Sequence, residues 1–118
     1  MVLIDTSVWI DFLRQGNTTL EVQLKDNEVA THPLVIGELH IGNINKRNQF
    51  LSLLTNLPQV AECAHSEVLY LIEEHKLYAK GIGYTDAHLL SSAIIHEVPL
   101  WTLDKKLDRA AKALTRRW

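Results

Sequence analysis

Two short apolar runs, VLI at residues 2–4 and PLWTL at 99–103, each end on an aspartate, Asp5 and Asp104, and each passes without a linker into a helical pattern. Apolar residues at consecutive positions, rather than alternate ones, suit a strand covered by helices on both faces, as in a parallel sheet. Residues 28–31 and 59–62 read as two further strands. The first helix is expected to be capped by Thr6 or Ser7 and to carry Val8, Trp9, Phe12 and Leu13 on one stripe. Further helical stretches fall at 20–24, from Pro33 to about 42, at about 45–54 and at 66–80, the last with Val68, Leu69, Ile72 and Leu77 inward and stopped by Gly81-Ile82-Gly83. Two more run from 86 to about 96, capped by Thr85, and from 104 to about 114. Short strands separated by helices predict an α/β fold with a parallel sheet sandwiched between helices.

The chain has 118 residues, 47% of them hydrophobic, which is one domain spanning 1–118 and excludes a two-domain enzyme. Cys63 is the only cysteine, so neither an intrachain disulfide nor a thiolate zinc cluster can form, and a reducing, cytoplasmic setting is expected. The start MVLID has neither the basic residues nor the apolar length of a signal peptide, and no apolar stretch approaches the roughly 20 residues of a membrane span.

Four carboxylates carry the chemistry. Asp5 and Asp104 follow strands, and in an open parallel sheet the C-terminal edge is where ligands bind; capping the next helix is the plainer role for each. Glu38 has Leu34, Val35 and Ile41 at i−4, i−3 and i+3, so its helix face is apolar and a buried carboxylate is expected, with no Lys or Arg between residues 31 and 45 to neutralise it. Asp86 opens a helix that is apolar on most of its circumference, where a carboxylate also complements the helix dipole. Gathered together, the four repel one another: at about 5 Å and an effective dielectric near 20, one pair costs about 3 kcal/mol. Protonation or bound cations must relieve that, and oxygen donors without cysteine suit Mg²⁺ or Mn²⁺, ions that activate water for phosphoryl chemistry.

DTSVWIDFL at 5–13, GELHIG at 37–42, YTDAHLLSSA at 84–93 and LWTLDKKL at 100–107 together resemble a PIN domain of the VapC toxin type, over essentially the whole chain. The resemblance implies a three-layer α/β/α sandwich with a short central parallel sheet of four to five strands. It implies a Mg²⁺- or Mn²⁺-dependent endoribonuclease, the toxin of a type II toxin-antitoxin pair, with a VapB-like antitoxin, a homodimeric state and structured RNA such as tRNA as substrate. By position, Asp5, Glu38, Asp86 and Asp104 match the family's four acids, with Asp5, Asp86 and Asp104 as metal ligands. Asp108, one turn past Asp104, can share the role of the fourth acid. Thr6, Ser7 and Thr102 stand beside the acids, either as caps and solvated hydroxyls or as groups orienting water or phosphate.

Other readings compete. Six histidines raise a metal-free ribonuclease, but His40 and His88 stand two positions from an acid and point away from it on a helix, and the others lack ligand spacing and read as surface or boundary residues. A catalytically inert PIN-like module acting only within an antitoxin complex is disfavoured by the presence of all four acids, and a DNA-directed nuclease by the short length. An aspartyl phosphatase fails because Ser7, not an aspartate, stands two positions after Asp5. The Trp9, Phe12 and Leu13 stripe reads as core, with an interface contact as the alternative; Trp118 packs on the sheet edge or is exposed. The net charge of −2 conceals an asymmetry: residues 1–104 hold 13 acidic and 6 basic residues, net −7, and residues 105–118 hold one acidic and six basic, net +5. The six bases Lys105, Lys106, Arg109, Lys112, Arg116 and Arg117 therefore read either as a solvated helix face or as contacts to RNA backbone phosphates, the latter to be tested by replacing Arg116 and Arg117.

Overall fold

A computed structural model describes all 118 residues. β1 (Val2–Ile4) is fully buried and leads into α1 (Thr6–Gln15) and α2 (Thr18–Lys25); β2 (Val29–Ala30) leads into α3 (Pro33–Ile41) and α4 (Arg47–Thr55). Then come α5 (His65–Glu74), a 3₁₀ turn at Leu77–Ala79, α6 (Tyr84–Ile95), β3 (Leu100–Trp101) and α7 (Lys105–Leu114). The parallel sheet has the order β2-β1-β3, with Leu3 opposite both Ala30 and Leu100. β1 thus lies between its two partners, and all three strands end at the same edge. Helices cover the sheet, and a core that includes Leu3, Ile4, Val8, Trp9, Val35, Val68, Leu90 and Leu107 runs through both sides of it. No helix is long and apolar enough to cross a membrane.

The α/β architecture agrees with expectation, but the sheet has three strands rather than four to five. Residues 59–62 contribute only a parallel bridge from Gln59 to Thr31, whose backbone accepts from Val60 and donates to Pro58 at 2.8 Å each. Pro58 has no N–H to extend the ladder, and Ala61 and Glu62 turn to solvent, so nothing drives the pairing further.

The expected helix over 66–80 is broken. Val68 and Leu77 are nine residues apart, about two and a half helical turns, so one straight helix places them on opposite faces. The chain buries both by ending α5 at Glu74 and passing through a left-handed Lys76 (φ 53°) into the 3₁₀ turn, while Leu69 is 45% exposed. The other differences are smaller. α6 begins after Gly83 rather than Thr85, and α1 is entered from Asp5, whose carboxylate does not cap it. Trp9 is fully buried and meets Phe12 and Phe50 edge to face, but Leu13 is exposed, so the stripe is core at one end only. Trp118 is half-exposed and packs its ring at 4.3 Å on Trp101.

Candidate active site

Asp5 is buried at the exit of β1, its backbone N–H bonded to the Trp101 carbonyl of β3 at 2.9 Å. Its Oδ2 accepts two protons, from Ser7 Oγ and from Thr102 Oγ1, each at 2.7 Å. Each hydroxyl oxygen in turn accepts a backbone N–H of the β3–α7 turn at 3.0 Å: Ser7 from Leu103 and Thr102 from Asp104. Because both hydroxyl protons are committed to Asp5, the 3.3 Å approach of Ser7 Oγ to Thr102 Oγ1 is a consequence of the shared acceptor and not a further bond. Asp5 Oδ1 is left free to face the site.

Ser7 and Thr102 therefore neither cap helices nor lie solvated, and their protons are unavailable to orient water. They hold the Asp5 carboxylate and tie it to the turn that carries Asp104. Ser7 stands two residues after the acid it holds, a spacing legible in DTS, whereas Thr102 stands two residues before Asp104 but holds Asp5. Thr6, in the first turn of α1, donates to Glu38 Oε1 of α3 at 2.9 Å.

Glu38 is exposed, contrary to the burial expected of it. Apolar residues occur all round α3, so apolar neighbours do not mark its inward side: Val35 and Leu39 are buried while Ile41 is 90% exposed. Asp104 is also exposed and does cap α7, accepting from Leu107 N at 2.9 Å through Oδ1. Asp108 pairs with Lys112 at 2.9 Å and lines a cleft with Trp101, Arg116 and Trp118.

Asp86 lies in the first turn of α6, partly buried. Burial first, then the charges of Asp5, Asp104 and Glu38 in that order, push its carboxyl up to about 6 from an ordinary 3.8. The fold thus brings together all four acids singled out in the sequence. No Lys or Arg relieves them: the only ion pairs in the chain are Met1 with Glu28 and Lys112 with Asp108.

This donor set fits a hard divalent cation. It offers carboxylate oxygens without thiolate or imidazole, a free Oδ1 on the anchored Asp5, and an excess of negative charge that a cation neutralises. As they stand, no three of the chain's His, Cys, Asp and Glu side chains are closed around one point tightly enough to hold an ion together. Two of the four acids are solvent-exposed, so their side chains have room to turn.

The histidines are engaged elsewhere. His88 Nε2 bonds the Tyr84 hydroxyl at 2.9 Å, His65 bonds the same hydroxyl, and His40 donates through Nδ1 to the Ile36 carbonyl at 2.9 Å. His32 is fully buried, contrary to its expected boundary position. Its Nδ1 accepts from Leu34 N at 3.1 Å, capping α3, so the ring proton resides on Nε2 and is donated to Ser92 Oγ of α6 at 2.9 Å. Burial, helped by His88 and His96, pushes His32 down to about 4. The neutral ring ties the helix of Glu38 to the helix of Asp86.

Arg116 and Arg117 are not at this edge. With Met1, Val2, Glu28 and Pro99 they line a cavity at the beginnings of the strands, whereas the acids stand at the strand ends. α7 carries the chain from one edge to the other, about 15 Å over its ten residues. Phosphate contacts read for this pair are therefore misplaced with respect to the acids.

The PIN domain family matches residues 2–113. The chain is 46% identical over 111 residues to "Ribonuclease VapC32" of Mycobacterium tuberculosis, in both strains CDC 1551 / Oshkosh and H37Rv, an alignment covering 93% of this chain and 90% of that protein. Among solved structures it is similar to FitAcB from Neisseria gonorrhoeae, with a TM-score of 0.68, 19% identity and coverage of 99% of this chain and 97% of that one. FitAB bound to an IR36 DNA fragment superposes with a TM-score of 0.66 at 22% identity, covering 95% and 91%. At those identities the structural neighbours speak for the fold, and the closer sequence relative speaks for the branch. The chain belongs to the PIN-domain family and is of the VapC type.

Proposed function

We propose that this protein is a Mg²⁺- or Mn²⁺-dependent endoribonuclease, the toxin component of a VapBC-like type II module, that cleaves structured RNA such as tRNA. The observation that carries the proposal is the state of Asp86, whose carboxyl is raised to about 6 by burial and by three neighbouring acids with no cation in the protein to offset them. The 46% identity to a protein named as a ribonuclease supports the same activity.

Asp5 and Asp86 would be the principal residues holding the cation, with Asp104 helping directly or through water. When bound, the cation neutralises the acids and lowers the pKa of its water. Ser7 and Thr102 fix the orientation of Asp5, which spares it from reorganising on ligation. Glu38, held from one side by Thr6 and open to solvent, completes the acidic pocket, either contacting the cation or orienting the attacking water. Cleavage is expected to leave a 5′-phosphate and a 3′-hydroxyl. A VapB-like antitoxin and a second copy of the chain are the protein partners this reading requires.

RNA cleavage titrated with Mg²⁺ tests the proposal. Asp5→Asn and Asp86→Asn should each lower the rate by at least about 100-fold, since even outer-shell partners of a metal are worth about 10- to 100-fold. EDTA should abolish cleavage, and DNA should compete poorly. Wild-type rates in either variant, or cleavage that survives EDTA, overturn the assignment.

A further inference from the structure

Between the 3₁₀ turn and α7 lies a cleft of about 290 Å³ lined by Ala79, Lys80, Lys106, Arg109, Ala110 and Ala113. Its only charged residues are three cations, and none of them is in an ion pair. Lys106 and Arg109 are three positions apart on α7 and so share one face of it. The alanines keep the floor shallow and leave the cationic groups standing above it.

The cleft adjoins the acids from two directions. Lys80 closes the 3₁₀ turn and is joined to the first turn of α6, where Asp86 stands, by Gly81-Ile82-Gly83. Lys106 follows Asp104 by two residues. The two segments touch: a Cβ at Gly81, which has φ +69°, would lie 3.0 Å from Cδ and from Nζ of Lys106. The Lys106 side chain thus lies against Gly81, in the segment that joins Lys80 to α6. Like charges held close without a counter-charge repel, and a polyanion relieves that repulsion.

We propose that Lys80, Lys106 and Arg109 form a binding site for the phosphate backbone of the RNA substrate, leading the strand to the acids past the N-terminal ends of α6 and α7. The assignment rests on the ribonuclease reading for its ligand. It also narrows the basic footprint of the C-terminal segment: Lys106 and Arg109 are its working cations, joined by Lys80, and Arg116 and Arg117, at the opposite edge, are not among them.

The test measures binding and cleavage separately. A fluorescein-labelled RNA hairpin is titrated by anisotropy over a series of KCl concentrations against the full chain carrying Asp5→Asn to suppress cleavage. Adding Lys80→Gln, Lys106→Gln and Arg109→Gln should weaken binding at low salt by at least about tenfold and flatten the plot of log affinity against log salt by about 2, at about 0.7 per phosphate contact. Each single substitution should remove about a third of that change, so the result does not depend on one triple variant folding. Arg116→Gln with Arg117→Gln should leave the slope as it was. An unchanged slope in the triple variant, or an equal change in the arginine pair, overturns the proposal. So does a triple variant that loses binding to polyglutamate but keeps its RNA affinity, which assigns the cleft to an acidic protein. If the wild-type chain cleaves no RNA with any divalent ion, the nuclease reading fails, while the slope still decides whether the cleft holds phosphates.

Discussion

Ionising Asp86 places a negative charge, partly out of water, beside three others. Its carboxyl is raised from 3.8 to about 6, so between those pH values the folded chain keeps a proton that the unfolded chain has lost. Stability therefore falls as pH rises through that window and stays reduced above it. Two pH units correspond to at most about 3 kcal/mol, and screening in a partly open site reduces this to about 1 to 2 kcal/mol. Asp86→Asn should accordingly be more stable than wild type by that amount at pH 7 and close to it at pH 4, as measured by urea unfolding without divalent ions. A variant less stable than wild type at pH 7 would mean that the acids do not repel. Residue identity and position sufficed to single out the four acids. Ser7 lies two residues from Asp5 and its contact is local, but the Thr102 contact is not legible in the sequence because it depends on two strand ends 97 residues apart being brought side by side.

At the level of elements, the strands and helices were legible wherever a single period applied. β1, β3 and α7 follow their apolar patterns, and Asp104 caps α7 as its position suggested. Legibility failed where two local solutions compete. α3 is apolar on all sides, so only tertiary packing decides that Val35 and Leu39 face in and Glu38 faces out. Residues 66–80 can be written as one helix, but burying Val68 and Leu77 together requires the break at Lys76. The buried bridge from His32 to Ser92 was equally hidden, since a histidine before Pro33 has no pattern that announces it. His32→Ala removes the cap of α3 and leaves the buried Ser92 hydroxyl only its weak 3.7 Å contact with Cys63 Sγ, and should cost about 2 to 3 kcal/mol. The wild-type ring has its proton affinity lowered from 6.5 to about 4, so the unfolded chain protonates first and stability falls as pH drops through that interval. The variant should lack this contribution, which thermal melts between pH 7 and pH 4 would reveal; an unchanged profile would show the ring to be dispensable.

For the molecule as a whole, the four acids and the C-terminal arginine pair stand at opposite edges of the sheet. The acids collect where the strands end, and the C-terminal arginines sit where they begin. A ligand that binds only the folded acids stabilises by mass action, about 2.7 kcal/mol at a hundredfold excess over its dissociation constant, or about 10 °C for a domain of this size. Saturating Mg²⁺ should raise the melting temperature of the wild-type chain by that order and EDTA should reverse it. The Asp5→Asn, Asp86→Asn double variant should show no such response in scanning calorimetry; an equal rise there would place the ion elsewhere.

The bond from Thr102 to Asp5 also sets a schedule. Asp5 is synthesised well before its support: the hydroxyl that fixes it, and the β3 strand that completes its side of the sheet, emerge some 97 residues later. Pairings that distant form late and slowly in folding. A nascent or prematurely terminated chain lacking β3 therefore carries Asp5, Glu38 and Asp86 without the framework that orients Asp5, so the cluster of acids is assembled only after β3 has been made.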